Sequence, residues 1–511
     1  MTFNIKNKII FHIIPFFIGV IISFSLPPYN YLFINFIFFP ILFIFFVSNT
    51  ATNKWDSFKI GWLFGFGYFV SNIYWITNSL TFDDQFKTLI PIAFLAIPLF
   101  LGLFYGIVTL ICSFFFLKNN FSSILIFALV ISLVEFIRGF ILGGFPWNLH
   151  AYSLVNYTYF LQPLSLIGTY AFNLLVITMF IIPSILFFKK SLRSKLIIVF
   201  IVILFLILNY IFGITKIDKY NNKDNTKIST TIKLISPKIE IDRFYENEDS
   251  ISILNELIKL SDPNALENTI FVFPEGILTS VYLEDLKRYA KLFKNNFSSN
   301  HRIILGINSN KNSKIFNSLV VLDNNLNILF QYNKNKLVPF GEFLPFENLF
   351  SIIGMKKIIT GYQSFTADNN RKVFSISNIK YLPLICYEII YTGRLNKNND
   401  DFNFIINISE DGWFGNSIGL EQHFSHSIFR AIEEGKNLIR SANNGTTAYI
   451  NPMGQVVEAI ESTQKGVIEV NSFKKVEKTF FSKNGNIIFF YFLSFYIILI
   501  FFLKKIGRTI K

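Results

Sequence analysis

Long apolar runs separated by short polar loops fill the first 213 positions, and one more such run stands near the end of the chain. Each is long enough, or nearly so, to cross a hydrocarbon layer of ~30 Å at ~1.5 Å rise per residue. The pattern predicts eight transmembrane helices, at about 9–26, 31–47, 58–77, 89–117, 122–142, 163–187, 194–213 and 487–503. The 89–117 run is overlong, so it must tilt, overhang or kink at Pro91 or Pro98. No small-x-small cleavage site follows the first run, and Pro27-Pro28 leads straight into the second, so it reads as a span rather than a cleaved signal peptide.

Between 214 and 486 the pattern changes to that of an ordinary globular domain. Predicted strands are Ser229–Ser236, Thr269–Phe273, Arg302–Ile307, Phe316–Leu322, Ile328–Tyr332, Tyr381–Cys386, Phe402–Ile408 and Thr446–Ile450. Helical patterns fall near 247–260, 282–295 and 421–437. This mixture predicts a layered α/β or α+β domain, and leaves the sheet topology open. The expected division is a membrane domain of seven helices over 1–213, a catalytic domain over 214–486, and a C-terminal transmembrane helix with a basic tail over 487–511.

Composition agrees with a membrane protein: 52% of the 511 residues are hydrophobic and only 16% charged, where a soluble chain carries about 25% charged residues. The 64 Phe, with abundant Ile, Asn and Lys, fit an AT-rich coding bias and carry no functional weight. A net charge of +14 would suit nucleic acid, but much of the excess sits in short loops beside the apolar runs, where membrane topology explains it. No nucleic-acid partner is expected. With the N-terminus cytoplasmic, the inner loops and span ends hold Lys6, Lys8, Lys54, Lys59, Lys118, Lys189, Lys190, Arg193 and Lys195. The tail adds Lys504, Lys505, Arg508 and Lys511, while the short outer loops hold only Lys87. That asymmetry places 214–486 outside the cytoplasm. Of the two cysteines, Cys112 lies in an apolar run and Cys386 in the globular part, so a disulfide between them is not expected. No CxxC or His-rich spacing suggests a metal. A thiol exported without a partner is unusual in an oxidising compartment.

Three side chains stand at or just beyond the ends of apolar β-runs: Glu275, Lys334 and Cys386. Strand ends are where layered folds commonly present reactive groups. A thiol needs a base to become a thiolate, which a carboxylate can supply, and an ammonium can stabilise an oxyanion. The three suffice for covalent acyl chemistry. Taken alone, however, a cysteine ending an apolar strand is more often a buried small hydrophobe, a Glu after Pro a turn residue, and a Lys in Asn-Lys-Asn-Lys solvated.

The flanking strings separate these readings. Phe-Pro-Glu-Gly (273–276), Tyr-Asn-Lys-Asn-Lys-Leu-Val-Pro-Phe-Gly-Glu-Phe-Leu-Pro (332–345), Ile-Cys-Tyr-Glu (385–388) and Asn-Ile-Ser-Glu-Asp-Gly-Trp-Phe-Gly (407–415) occur in that order. Arg-Ala-Ile-Glu-Glu-Gly (430–435), Arg-Ser-Ala-Asn-Asn-Gly (440–445) and Gly-Gly-Phe-Pro-Trp-Asn-Leu (143–149) add to them. Together they resemble the carbon–nitrogen hydrolase (nitrilase) superfamily and, within it, the apolipoprotein N-acyltransferase branch, over essentially the whole chain. The resemblance implies an extracytoplasmic αββα sandwich in which Glu275 is the general base, Lys334 the oxyanion-stabilising cation and Cys386 the nucleophile. It also implies supporting roles for Glu342, Tyr387 and Glu388. The implied reaction is ping-pong, without cofactor or metal. A phospholipid, usually phosphatidylethanolamine, gives its sn-1 acyl chain to the thiol. The α-amine of a diacylglyceryl-cysteine at an apolipoprotein N-terminus then takes that chain. The implied location is the bacterial inner membrane, with the catalytic domain periplasmic and both termini cytoplasmic.

The chain departs from the family pattern in places. Phe273 stands where a Trp is common and Lys336 where a His is usual. Ser236-Pro237-Lys238 replaces a Gln-x-Asn string, and a Trp expected soon after is absent, leaving Phe244 or Tyr245 as substitutes. Among the spans, Glu135 and Arg138 are three apart, so they share a helix face and could pair. A charge in a span costs at least ~2.5 kcal/mol, so both are expected to face protein or water. The apolar arm Phe343–Phe365, with Lys356 and Lys357, has the composition of a lid dipping into the bilayer. Three other readings remain: a membrane-tethered amidase, a Cys–His hydrolase using His423, and a transporter, whose repeated span pattern is not seen here.

Overall fold

The computed structural model describes residues 8–49, 53–189, 191–245, 249–345, 364–393, 395–396, 398 and 400–509. Among them, those before Asn78, those from Leu89 to Asp218 and those after Lys483 form one unit, and Asn78–Thr88 joins Lys219–Lys483 in a second. Residues 346–363 of the proposed lid lie outside the described residues.

The first unit is helical. It contains α1 (Lys8–Ser23), α2 (Phe33–Asn49), α3 (Lys54–Ile73), α4 (Ile90–Phe114), α5 (Phe121–Arg138), α6 (Leu164–Ile181) and α7 (Leu192–Asn221), with Ile487–Thr509 at the end. Among the described residues, five helices are long and apolar enough to cross a membrane: Ile90–Phe114, Phe121–Arg138, Leu164–Phe187, Leu192–Asn221 and Ile487–Lys505. α1 and α2 are shorter, and α3 is more polar. α4 runs on through Pro98, with Pro91 in its first turn, where the missing N–H costs nothing. Small residues let these helices approach closely. A Cβ on Gly61 of α3 would lie 2.0 Å from the Tyr105 carbonyl of α4, and one on Gly67 equally close to the Phe16 carbonyl of α1.

Glu135 and Arg138 are both buried on α5, but they do not pair with each other. Glu135 accepts hydrogen bonds from Tyr105 Oη at 2.6 Å and Asn173 Nδ2 at 2.6 Å, with His150 Nε2 at 3.6 Å. Arg138 donates to the Trp147 carbonyl at 3.1 Å and stands over the Phe69 ring. Helical spacing brings the two residues to one face, but fixed donors from α4 and α6 reach Glu135 in its place. A buried carboxylate needs its lone pairs occupied, and these neutral partners do so inside an apolar bundle.

The second unit is a pair of sheets. The first has the order β13-β1-β2-β4-β5-β6, with β3 also paired to β4. Its strands are β1 (Thr226–Ser236), β2 (Thr269–Val272), β3 (Leu278–Tyr282), β4 (His301–Lys311), β5 (Lys314–Leu322), β6 (Ile328–Asn333) and β13 (Gly466–Phe473). The second has the order β12-β11-β10-β9-β8-β7. It is built from β7 (Phe374–Ile376), β8 (Ile379–Ile385), β9 (Phe404–Glu410), β10 (Asn437–Asn443), β11 (Thr447–Ile450) and β12 (Val456–Ile460). In each sheet a parallel set, β1-β2-β4 or β8-β9-β10, forms the centre. Parallel strands are covered on both faces, which is why β2 and β9 read as continuous buried runs.

Strands β1 and β10 face each other across the sheets, and the Ser441 hydroxyl lies 2.8 Å from the Ile235 carbonyl and 3.0 Å from that of Val272. On the outer side of the first sheet, α8 (Ser250–Ser261) buries Ile253, Leu254 and Leu257 against Ile235, Phe271 and Ile303. α9 (Gly419–Glu434) packs on β10 and β11 of the second. The order helix, sheet, sheet, helix is an αββα sandwich. The first sheet's outer core buries Phe273, so the Phe in place of a Trp serves packing.

Candidate active site

The carboxyl ends of the parallel strands bring the candidate residues together. Glu275 follows β2 through Pro274, Cys386 follows β8, and β9 ends at Ser409 and Glu410, just before Asp411. Lys334 follows β6 on the antiparallel side of the first sheet.

Lys334 is buried, and its Nζ donates to Glu275 Oε1 at 3.1 Å and Glu342 Oε1 at 3.0 Å. Asn317 on β5 donates to the same two carboxylates, at 2.7 and 2.9 Å. The second oxygen of Glu275 accepts from the Glu410 backbone at 2.9 Å, and that of Glu342 from the Val338 backbone at 2.8 Å. Burial alone would discharge Lys334, but the two carboxylates outweigh it and hold the ammonium charged. Glu275 owes its place to Gly306 on β4. A Cβ there would stand 2.5 Å from the Glu275 Cα and 2.9 Å from Ile408 of the facing sheet, so only glycine lets the turn settle between the sheets.

Cys386 has φ +48°, a left-handed conformation that costs a side-chain-bearing residue roughly 1–2 kcal/mol. Its thiol is pushed well above the ordinary range, first by burial and then by Glu275, against the pull of Lys334. The sulfur therefore rests protonated, and a thiol in that state becomes nucleophilic only when a base takes its proton.

Glu388 is not placed to exchange protons. It accepts from Tyr332 Oη at 2.7 Å, Arg371 Nη2 at 2.5 Å, and the backbone N–H groups of Asn335 at 2.9 Å and Lys336 at 3.2 Å. Its other oxygen accepts from the Ile385 backbone at 2.9 Å. One carboxylate thus ties the segment after Lys334 to the residue before Cys386. Tyr387 packs edge-on against Tyr391, over whose ring lies Lys336 Nζ at 5.5 Å. The charge that replaces the usual His is thus taken up by an aromatic face. Phe244, one of the substitutes for the missing Trp, packs on Trp413 at 4.9 Å and lies against Gly276.

Sequence reasoning assigned no role to Asn317, Arg243, Asp411 or Arg440. Arg243 donates to Glu410, whose backbone holds Glu275. Asp411 and His423 each place a ligand atom within 4.8 Å of the other and of the Cys386 sulfur, the one cluster of metal-binding types among the described residues. Arg440 Nη2 already stands 2.6 Å from Asp411 and 3.1 Å from His423, so a guanidinium serves as the cation of that cluster.

This architecture is matched by the family model for the carbon–nitrogen hydrolases over residues 267–472. A second family model, for the apolipoprotein N-acyltransferase N-terminal domain, matches residues 18–182. The apolipoprotein N-acyltransferase of Rickettsia prowazekii (strain Madrid E) is 32% identical over 483 residues, covering 92% of this chain and 95% of that protein. The Brucella melitensis protein of the same name is 28% identical over 476 residues, covering 89% and 88%. An amidase of the nitrilase superfamily from Nesterenkonia AN1 aligns in structure at a TM-score of 0.36 and 11% identity, over 48% of this chain and 92% of its own. The chain belongs to the apolipoprotein N-acyltransferase family.

Proposed function

We propose that this membrane protein transfers the sn-1 acyl chain of a phospholipid, phosphatidylethanolamine in the usual case, to the α-amine of the diacylglyceryl-cysteine of apolipoproteins. The reading is carried by one observation: a buried Lys334 held between Glu275 and Glu342, whose field, with that of Glu275, falls on Cys386.

In the proposed mechanism Glu275 takes the Cys386 proton as the sulfur attacks the sn-1 carbonyl. Lys334 offsets the charge of the tetrahedral oxyanion. Collapse breaks the ester bond, Glu275 returns the proton to the departing glycerol oxygen, and a lysophospholipid leaves. The lipoprotein amine then attacks the thioester, its proton passes to Glu275, and the sulfur departs as a thiolate that recovers the proton. Glu342 keeps Lys334 oriented, and Glu388 keeps the Lys334 and Cys386 segments in register; Tyr387 lines the thiol. No cofactor or metal takes part. The proposed layout has eight transmembrane helices in the bacterial inner membrane. Seven lie within 1–213, the periplasmic catalytic domain is 214–486, and the last helix is in 487–511, with both termini cytoplasmic.

Phospholipid labelled separately in its sn-1 and sn-2 chains, incubated with a diacylglyceryl peptide, tests this reading. Label from sn-1 is expected on the peptide amine. Label recovered only as free fatty acid would make the protein a hydrolase.

A further inference from the structure

Cys386 holds its left-handed backbone, which a residue with a Cβ keeps only where its surroundings over-determine it. Asn407 on β9 directs Nδ2 to the Leu384 carbonyl at 3.4 Å and the Cys386 carbonyl at 3.5 Å. Arg440 on β10, wholly buried, donates one guanidinium nitrogen to Asn407 Oδ1 and another to Asp411 Oδ2 at 2.6 Å. Asp411 Oδ1 accepts from Ser409 Oγ at 2.6 Å and lies 3.0 Å from His423 Nδ1. One arginine thus links the side chain on the Cys386 carbonyl to the two that stand beside its sulfur.

We propose that Asn407, Asp411 and His423, joined through Arg440, are positioning residues that clamp Cys386 with its sulfur set toward Glu275 and Lys334. The clamp does not activate the thiol by charge: Asp411, like Glu275, favours its protonated form. Against its burial, Asp411 is held well below the carboxylate range by the Arg440 charge and by hydrogen bonds, that of Ser409 among them, while burial lowers the pKa of His423. His423 Nδ1 meets both the Asp411 carboxylate, at 3.0 Å, and Arg440 Nη2, at 3.1 Å, so one ring nitrogen joins the pair. The role is therefore geometric, and it rests on the thioester reading above.

Replacement of His423 by Asn, which keeps a polar amide near the Nδ1 position, is expected to leave kcat within about 3-fold of the original. His423→Leu, which removes that polar group, is expected to lower kcat on the order of 10–100-fold with the KM for phosphatidylethanolamine vesicles unchanged, as small misplacements of a reacting atom do. If His423→Leu does not fold, Asn407→Ala, which frees the Cys386 carbonyl without touching the sulfur, decides: a kcat loss at unchanged KM supports the clamp, and an unchanged kcat overturns it. Unchanged kcat in His423→Leu likewise overturns it. His423→Asn as inactive as Glu275→Gln would make His423 the base and overturn it too. Activity retained by Glu275→Gln itself would instead sink the thioester reading with Glu275 as base.

Discussion

Glu275→Gln is expected to slow acyl transfer by roughly 10²–10⁴-fold, the range for removing a positioned general base. The size follows from the state of the nucleophile. Burial and Glu275 itself keep the Cys386 thiol protonated, so attack waits on proton removal. An amide cannot accept that proton. Nor can it fit the site without loss: Glu275 Oε1 accepts from Asn317 and Lys334, and Oε2 accepts from the Glu410 backbone. Either amide orientation sets an NH₂ against a donor, at a cost of about 1–3 kcal/mol in stability. The melting temperature should therefore fall, but by far less than the activity. Removing the Glu275 charge also relieves one cause of the raised thiol pKa. Cys386 should consequently remain open to alkylation by iodoacetamide. A variant that keeps more than a tenth of its acyl-transfer rate would exclude Glu275 as the base.

Glu388→Leu is expected to unfold the catalytic unit or lower its melting temperature more than any other single change at the site. The substitution leaves the largely covered Arg371 without its carboxylate and strips acceptors from Tyr332, Asn335, Lys336 and Ile385. Breaking a buried pair from one side costs ~3–5 kcal/mol, a large part of the ~5–15 kcal/mol that holds a domain folded. Arg371→Met should cost less, because Glu388 then keeps its backbone donors. Equal losses for the two variants would show that only the ion pair matters, and that the backbone ties contribute nothing.

Much of the sandwich was legible from apolar runs. The eight strands expected between Ser229 and Ile450 all form, with ends shifted by a few residues. β10 was missed because Asn437–Asn443 carries Arg440, Ser441 and Asn443, whose hydrogen bonds serve the site and the facing sheet. Polar function there overrode the apolar pattern. Glu275, Lys334 and Cys386 were singled out through their flanking strings, and the structure brings the first two into contact. Asp411 and Arg440 lay inside such strings as well, but their role depends on contacts between β9, β10 and α9 that no spacing reveals. The same limit explains Glu135. Three-residue spacing pointed to Arg138, while the partners that reach it, Tyr105 and Asn173, lie 30 and 38 positions away.

All of this turns on a fatty acyl group carried by one sulfur atom. Purified protein exposed to phosphatidylethanolamine, quenched without acceptor and digested for mass spectrometry, should carry a hydroxylamine-labile acyl mass on the peptide containing Cys386. A diacylglyceryl peptide should then discharge it. An acyl mass on another residue, or steady transfer by a Cys386→Ala protein, would contradict the account.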